Sequence, residues 1–144
     1  MRTIQRLDSD DAQLLIEGAA AEADSMGVPM CIAITDEGGN LLAFKRMDGG
    51  KVTSITIAID KSFTASGAQK ATHEYGEASQ PGAPAYGIFA GIGGRLMVVG
   101  GGLPVKVDGA VVGGIGISSG TPAQDRQCAE AGIKHLMEKK GYSE

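Results

Sequence analysis

The segment from Gly100 to Pro122 contains residue types that can hold an anion. Two strand-like runs meet at the turn Asp108-Gly109, and the second run ends in a glycine-rich corner directly before a helix start. Glycine lets a backbone approach a ligand closely, and the N-terminus of a helix favours negative charge. The amides of Ser119, Gly120 and Thr121 could therefore hold the carboxylate of a small ligand.

The spacing of Gly114, Gly116 and Gly120 is superficially that of a dinucleotide-binding turn. Such a turn needs a second parallel strand and an acidic residue for the ribose, and the chain ends too soon after Gly120 to supply them. A phosphate-binding loop of the Gly-Lys-Ser/Thr type is absent as well. The alternative is that these glycines serve only the tight packing of strand, turn and helix.

Two charged side chains before Gly49 could act on a small carboxylate. Arg46 can bind a carboxylate through two parallel hydrogen bonds, and Asp48 could act as a general base. An equally good interpretation is that the two side chains form a local ion pair that stabilises this corner. Lys61, in the next predicted helix, is an exposed lysine in the simplest interpretation.

The chain has two histidines and two cysteines. His73, near the start of a short predicted helix, is the better candidate for a ligand-binding residue, although a solvated surface position also explains it. His135 flanks the apolar face of the last helix. A single histidine cannot form a structural zinc site, and Cys31 and Cys128 lack metal-type spacing. We therefore predict no metal site made by the protein alone.

Composition limits the class of protein. The 144 residues are 42% apolar and 21% charged, which is typical of one globular domain over residues 1–144. A net charge of −4 leaves no broad basic surface, so we expect no nucleic-acid partner. The sequence shows neither a signal peptide nor an apolar run long enough for a membrane span, so we expect a cytoplasmic protein without a membrane partner.

The first half of the chain predicts a helix, two strands and two further helices. The first helix has Asp8 as its cap and ends at Gly27. Val52 to Phe63 is ambiguous, because its isoleucines alternate as in a strand while other residues recur as on a helix, and its length favours a helix. The strands and the short helix are predicted at Met30–Thr35, Leu41–Met47 and Thr72–Ser79.

The second half predicts a loop, three strands and a last helix. The loop Ala83–Gly94 holds Tyr86, Ile88 and Phe89, which suggests that it covers another part of the protein. Thr121, Pro122 and Gln124 form a nearly complete helix-start signature. The strands are predicted at Leu96–Val99, Leu103–Val107 and Ala110–Ser118. Without regular strand-helix alternation, this order predicts an α+β domain with a five-stranded antiparallel sheet and helices packed against it.

The run from Gly101 to Asp125, with its block Gly113-Gly114-Ile115-Gly116, resembles the GlcG/HbpS-like family. This family includes the C-terminal domain of PduO-type proteins and is sometimes described as heme-degrading. Upstream, Arg46-Met47-Asp48-Gly49 and the helix with Ala58 and Lys61 are similar to the same family. The similarity spans essentially the whole chain, and the two motifs occur in the expected order.

The resemblance implies a profilin-like or PAS-like fold, a homo-oligomer, and a pocket lined by glycine-rich backbone that includes Gly101 and Gly102. It also implies heme as a possible cofactor, for which His73 is the candidate ligand. The histidine that we associate with helix 1 of heme-binding PduO-type domains is absent here. The match at Lys61 implies that this amine faces the pocket, where burial would lower its pKa.

Three hypotheses are open on the sequence. The first is a protein that binds heme, or a related planar or small anionic molecule, in the glycine-lined pocket. The second is a cofactor-free enzyme acting on a small carboxylate or carbonyl metabolite, with Arg46 binding the substrate and Lys61 or Asp48 transferring a proton. The third is a structural assembly subunit whose glycines serve packing alone.

Overall fold

The computed structural model describes residues 1–144 and contains four α-helices and four strands. Two single 3-10 turns lie between α3 and β3, at Ile88–Ala90 and Ile92–Gly94. No helix has the length and apolar composition needed to cross a membrane. The main elements are α1 (Ser9–Met26), β1 (Cys31–Asp36), β2 (Leu41–Arg46), α2 (Thr53–Ala68), α3 (Thr72–Ala78), β3 (Gly102–Val107), β4 (Ala110–Ser118) and α4 (Pro122–Lys140).

The four strands form one antiparallel sheet in the order β2-β1-β4-β3. Helices α1 and α4 pack against each other and against one face of the sheet, and α2 packs against the other face. The α+β class is therefore confirmed. The sheet has one strand fewer than the five expected.

The missing strand is Leu96–Val99, which forms no ladder. The Met97 N–H donates instead to the Thr64 hydroxyl of α2, at 2.9 Å. The carbonyl of Val98 lies against Gly76 of α3, where a β-carbon would come within 2.5 Å of it. The backbone groups of this segment thus lie against helices rather than a neighbouring strand. Its apolar character therefore did not indicate a place in the sheet.

The two faces of the sheet differ in side-chain size. Because successive side chains of a strand point to opposite faces, Ile32 and Ile34 of β1 and Ile115 and Ile117 of β4 lie on one face. These residues belong to the main apolar core, which α1 and α4 complete with Leu15, Ile16, Ile133 and Leu136. The other face carries Cys31, Ala33, Thr35, Gly114 and Gly116. Only a helix that approaches closely can cover such a surface.

Helix α2 makes this close approach with the small residues Ala58, Ser62 and Ser66. A β-carbon on Gly114 would lie 2.6 Å from the Ser62 carbonyl oxygen, and one on Gly116 would overlap Ala58 O and Ser62 N. The Ser62 hydroxyl donates to the Gly114 carbonyl at 3.0 Å. The helical interpretation of Val52–Phe63 and the role of its small residues are both confirmed.

The ends of the long helices follow the predicted capping chemistry. Asp8 and Asp11 form a capping box at the start of α1, and Gly27 ends the helix in the left-handed conformation. Thr121 and Gln124 form the same arrangement at α4, with Pro122 in the first turn. The start of α4, which borders the glycine-rich corner, is therefore well defined.

We predict that Gly116→Ala will destabilise the fold by about 3 kcal/mol or more, because the added methyl group meets backbone atoms of α2. Gly67→Ala in the same helix is the matched control, since nothing lies within 4 Å of a β-carbon there. Alanine at an open helical position should be neutral or stabilise by up to about 1 kcal/mol. Urea unfolding of both variants measures the difference. Equal midpoints would contradict the packing argument.

Candidate functional site

The predicted site residues gather at one end of the sheet. There β1 and β3 begin and β2 and β4 end, because Cys31 pairs with both Arg46 and Ser118. Lys51 also reaches this end, where its N–H donates to the Ser119 hydroxyl at 3.1 Å. The N-terminus of α4 follows directly. We call residues 100–102 together with residues 118–122 the corner.

A buried ion pair lies behind the corner. Lys61 of α2 is 1% exposed, and its Nζ donates to Asp125 Oδ2 of α4 at 3.0 Å and to the Ile117 carbonyl of β4 at 2.8 Å. The second oxygen of Asp125 accepts the Gly120 N–H at 2.9 Å. This one pair therefore joins both helix layers and the last strand.

Gly101 provides the space in which the pair sits. A β-carbon on Gly101 would come within 2.9 Å of Lys61 Nζ and within 2.7 Å of the Asp125 β-carbon. The backbone here also has φ of +123°, which side chains other than glycine rarely adopt. Gly102 is equally enclosed, by Lys61 and Thr72. The structure thus places both glycines in packing contacts with the pair and its surroundings.

Burial governs the protonation of this pair. Loss of hydration lowers the pKa of Lys61 below its ordinary value, and the attraction of Asp125 opposes that shift. Loss of hydration likewise raises the pKa of Asp125, against the effect of Lys61. A substrate could reach Lys61 Nζ only by displacing Asp125 or opening the corner. The geometry therefore favours a positioning role for Lys61.

Two of the three amides predicted to hold an anion already have partners within the chain. The Gly120 N–H donates to Asp125, and the Thr121 N–H donates to the Gln124 side chain at 2.9 Å. Ser119 has φ of +108°, a strained conformation for a residue with a side chain, and is buried. The carboxylate that this corner holds is thus Asp125. An external anion would have to compete with it or bind further out.

His73 lies on the outer side of the same corner. A β-carbon on Gly100 would be 3.4 Å from the His73 β-carbon and 3.6 Å from that of Pro122, so the histidine borders the start of α4. The side chain is half-buried, and its Nδ1 is buried without a hydrogen-bond partner. His135 is elsewhere, 3.4 Å from Glu17 of α1.

Arg46 and Asp48 are exposed, and no ion pair joins them. They share the corner's end of the sheet but make no side-chain hydrogen bond to it. The sequence reasoning missed Asp125, although an acid in the first turn of a capped helix was a usable signal. In the loop Ala83–Gly94, Tyr86 and Phe89 are 66% and 49% exposed, whereas Ile88 is half-buried.

The fold and the corner define a small α+β domain in which a buried ion pair supports a glycine-rich turn. A family model described as haem degrading protein HbpS-like matches residues 7–134. The chain belongs to this HbpS-like family, which confirms the resemblance found in the sequence.

Curated relatives agree with this assignment. The chain is 40% identical over 127 residues to an uncharacterized 15.0 kDa protein from the dhaT-dhaS intergenic region of Citrobacter freundii, with 88% of the chain and 89% of that protein covered. It is 34% identical to the corrinoid adenosyltransferase PduO of Salmonella typhimurium, with 88% of this chain covered. It spans only 38% of the length of that enzyme.

Solved structures show the same fold. The crystal structure of Klebsiella pneumoniae protein ORFY superposes with a TM-score of 0.92 at 32% identity, covering 94% of both chains. The crystal structure of a PduOC:heme complex superposes with a TM-score of 0.87 at 33% identity, covering 90% of this chain and 94% of the other.

We predict that Lys61→Met will destabilise the protein by about 3–5 kcal/mol, because it leaves the buried Asp125 carboxylate without its cation. The double variant Lys61→Met/Asp125→Asn should lose less than the single one, since asparagine carries no charge and can still accept the Gly120 N–H. Urea unfolding at pH 7 compares the two. A double variant less stable than the single one would show that the charge pair is not the reason.

The folding stability of Lys61→Met should increase as the pH falls. In Lys61→Met the pKa of Asp125 lies above its ordinary value, so the folded carboxyl binds a proton more tightly than the unfolded one. Its folding stability is therefore gained as the pH falls through that raised pKa and lost as the pH rises through it. Unfolding midpoints at pH 7 and pH 5 test this, and the double variant, without an ionisable group at 125, should lack the response.

Proposed function

We propose that this protein binds heme, or a closely related planar anionic molecule, at the outer side of the corner with His73 as the iron ligand. The observation that carries the proposal is the His73 side chain, which is half-buried beside the start of α4 and whose Nδ1 is buried without a hydrogen-bond partner. The overall similarity to a structure with bound heme, at 33% identity, supports the choice of ligand.

The residues around His73 fit such a group. A haem iron takes one ring nitrogen from a proximal histidine, and no hydrogen bond within the chain competes for Nδ1 of His73. Val99, next to Gly100, is 42% exposed and offers apolar surface. The N-terminus of α4 begins at Pro122, beside His73, and favours negative charge such as that of a propionate. A bound heme would supply a redox-active iron.

The ion pair has a positioning role in this proposal. Asp125 holds the Gly120 N–H and is itself held by Lys61, so the turn before α4 has its shape before any ligand arrives. Preformed sites lose less free energy to ordering on binding. Arg46, Asp48 and Lys61 accordingly contribute no proton transfer in the proposed function.

A heme titration followed by the Soret band tests the proposal. We expect a shifted band with the intact protein, binding weakened about tenfold or more in His73→Ala, and unchanged binding in His135→Ala, the matched histidine control. Metal-free protoporphyrin should bind the intact protein and His73→Ala alike, because it needs no iron ligand. No shifted band with the intact protein would remove the heme proposal, and an unchanged band in His73→Ala would remove His73 as ligand.

We also propose that the protein assembles as a homo-oligomer, since α2 directs its large apolar residues outward. The residues it buries are small, and Lys61 is the one long side chain among them. Val52 is 70% exposed at its start, and Ile55, Ile59 and Phe63 are only partly buried. A helix normally buries its large apolar residues. A second copy of the chain is the partner proposed for this face.

Light scattering coupled to size-exclusion chromatography tests the assembly. The intact protein should have a mass of at least two chains of 14.7 kDa, and Val52→Glu should shift it toward the single chain. Ile4→Glu is the control, because Ile4 is 54% exposed on the N-terminal segment, outside α2. A monomeric intact protein would contradict the proposal.

A further inference from the structure

The loop Ala83–Gly94 carries large apolar side chains that the chain itself leaves uncovered. We call this loop the arm. Its two 3-10 turns pack on each other without extensive packing against any helix or strand, and none of its residues is buried. Tyr86, Phe89 and Ile92 are all exposed. Large apolar side chains exposed so close together on one element indicate a surface that another molecule covers.

The arm has a defined shape and is anchored at both ends. Several of its backbone N–H groups donate to carbonyls within the arm, and the Ala85 N–H donates to the Ala78 carbonyl of α3 at 2.9 Å. Arg95, directly after the arm, lies on α2. Its Nε donates to Asp60 Oδ1 at 3.0 Å, and its guanidinium carbon is 3.8 Å from the centre of the Phe63 ring. A preformed loop of this kind loses less free energy to ordering when it binds.

The arm also lacks charge. Charged residues make up 21% of the chain, yet none lies between Glu77 and Arg95. The centres of protein interfaces are depleted of charged side chains and enriched in tyrosine and phenylalanine. The arm therefore suits a partner surface that is apolar and uncharged as well.

The outward side of α2 is such a surface, and it is open at one end. Val52, Ile55, Ile59 and Phe63 follow one another at helical spacing, and we call these four residues the stripe. No charged residue lies between Lys51 and Asp60. Arg95 of the same chain covers the Phe63 end, whereas Val52 is 70% exposed. At a rise of 1.5 Å per residue, Val52 is about 16 Å along the helix from the point where the arm is anchored.

We propose that two copies of the chain pair through antiparallel α2 helices, so that the arm of each copy covers the Val52 end of the stripe on the other. A two-fold axis across the middle of the stripe places Phe63 of one copy opposite Val52 of the other. The arm, which leaves its own α2 beside Phe63, then reaches the open end of the second stripe. Parallel helices would leave both arms uncovered. This inference rests on the proposed homo-oligomer and specifies its contact.

The pairing also brings the arm to the corner. Val52 follows Lys51, whose N–H donates to the Ser119 hydroxyl. The arm of the second copy therefore borders the end of the sheet at which the corner lies. Each corner is then flanked by residues of both chains.

Disulfide trapping tests the contact, because the chain's own thiols, Cys31 and Cys128, are fully buried. Val52→Cys and Phe89→Cys, each with a different tag, are co-expressed and oxidised with diamide. We expect a disulfide-linked dimer that carries both tags, and little linked dimer from either variant alone. The matched control is Ile4→Cys co-expressed with Phe89→Cys, since Ile4 is 54% exposed but lies outside α2. It should give no linked dimer with both tags.

The strength of association gives a second measurement. Phe89→Ser should weaken self-association roughly tenfold or more, as the loss of an aromatic interface residue does. Its circular dichroism should be that of the intact protein, because the arm is outside the core. Ile4→Ser is the matched control and should associate as the intact protein does. Sedimentation equilibrium measures all three.

The possible results separate this inference from the proposed assembly. A linked dimer from Val52→Cys alone, in preference to the mixed pair, would show parallel helices and overturn the arm contact while the oligomer stands. An oligomer that Phe89→Ser does not weaken would do the same. A monomeric intact protein would overturn both proposals. Binding of the intact protein to phosphatidylcholine vesicles that is lost in Phe89→Ser would assign the arm to a membrane and overturn its contact with a second copy.

Discussion

The arrangement of the whole corner depends on the ion pair between Lys61 and Asp125. It is the one place where α2, on one face of the sheet, contacts α4, on the other, through charged groups. Both charges are out of water, so their attraction must offset a large loss of hydration. Such a pair adds little net stability over an apolar contact, but any arrangement that separates the partners is strongly disfavoured. Its effect is therefore to select one geometry for the turn that precedes α4.

The pair can form only because one face of the sheet is made of small residues. Gly114 and Gly116 let the backbone of α2 lie almost directly on β4, which brings the Lys61 side chain within reach of the Ile117 carbonyl. Gly101 then leaves open the space that the amine and the carboxylate occupy. A larger side chain at any of these glycines would move α2 outward or fill that space. The large isoleucines of the opposite face retain the ordinary apolar core with α1 and α4.

The features that could be predicted from the sequence are those that depend on neighbouring residues. Helix caps, the turn at Asp108-Gly109 and the small edge of α2 are local patterns, and the structure reproduces them. Leu96–Val99 has the composition of a strand, but its place depends on Thr64 and Gly76, which are distant in sequence. The partnership of Lys61 with Asp125 spans 64 positions and leaves no periodic signal.

The residues that carry the family resemblance are largely those that build the fold. Gly101, Gly114 and Gly116 are in contact with α2, and Lys61 is closed off by Asp125. A glycine-rich turn before a helix is a frequent anion site, yet here the Gly120 amide that could serve one holds the chain's own carboxylate. Membership in the family therefore specifies a corner of defined shape more strongly than it specifies a ligand. The group that can choose a ligand lies outside the motif: it is the His73 side chain, beside the start of α4.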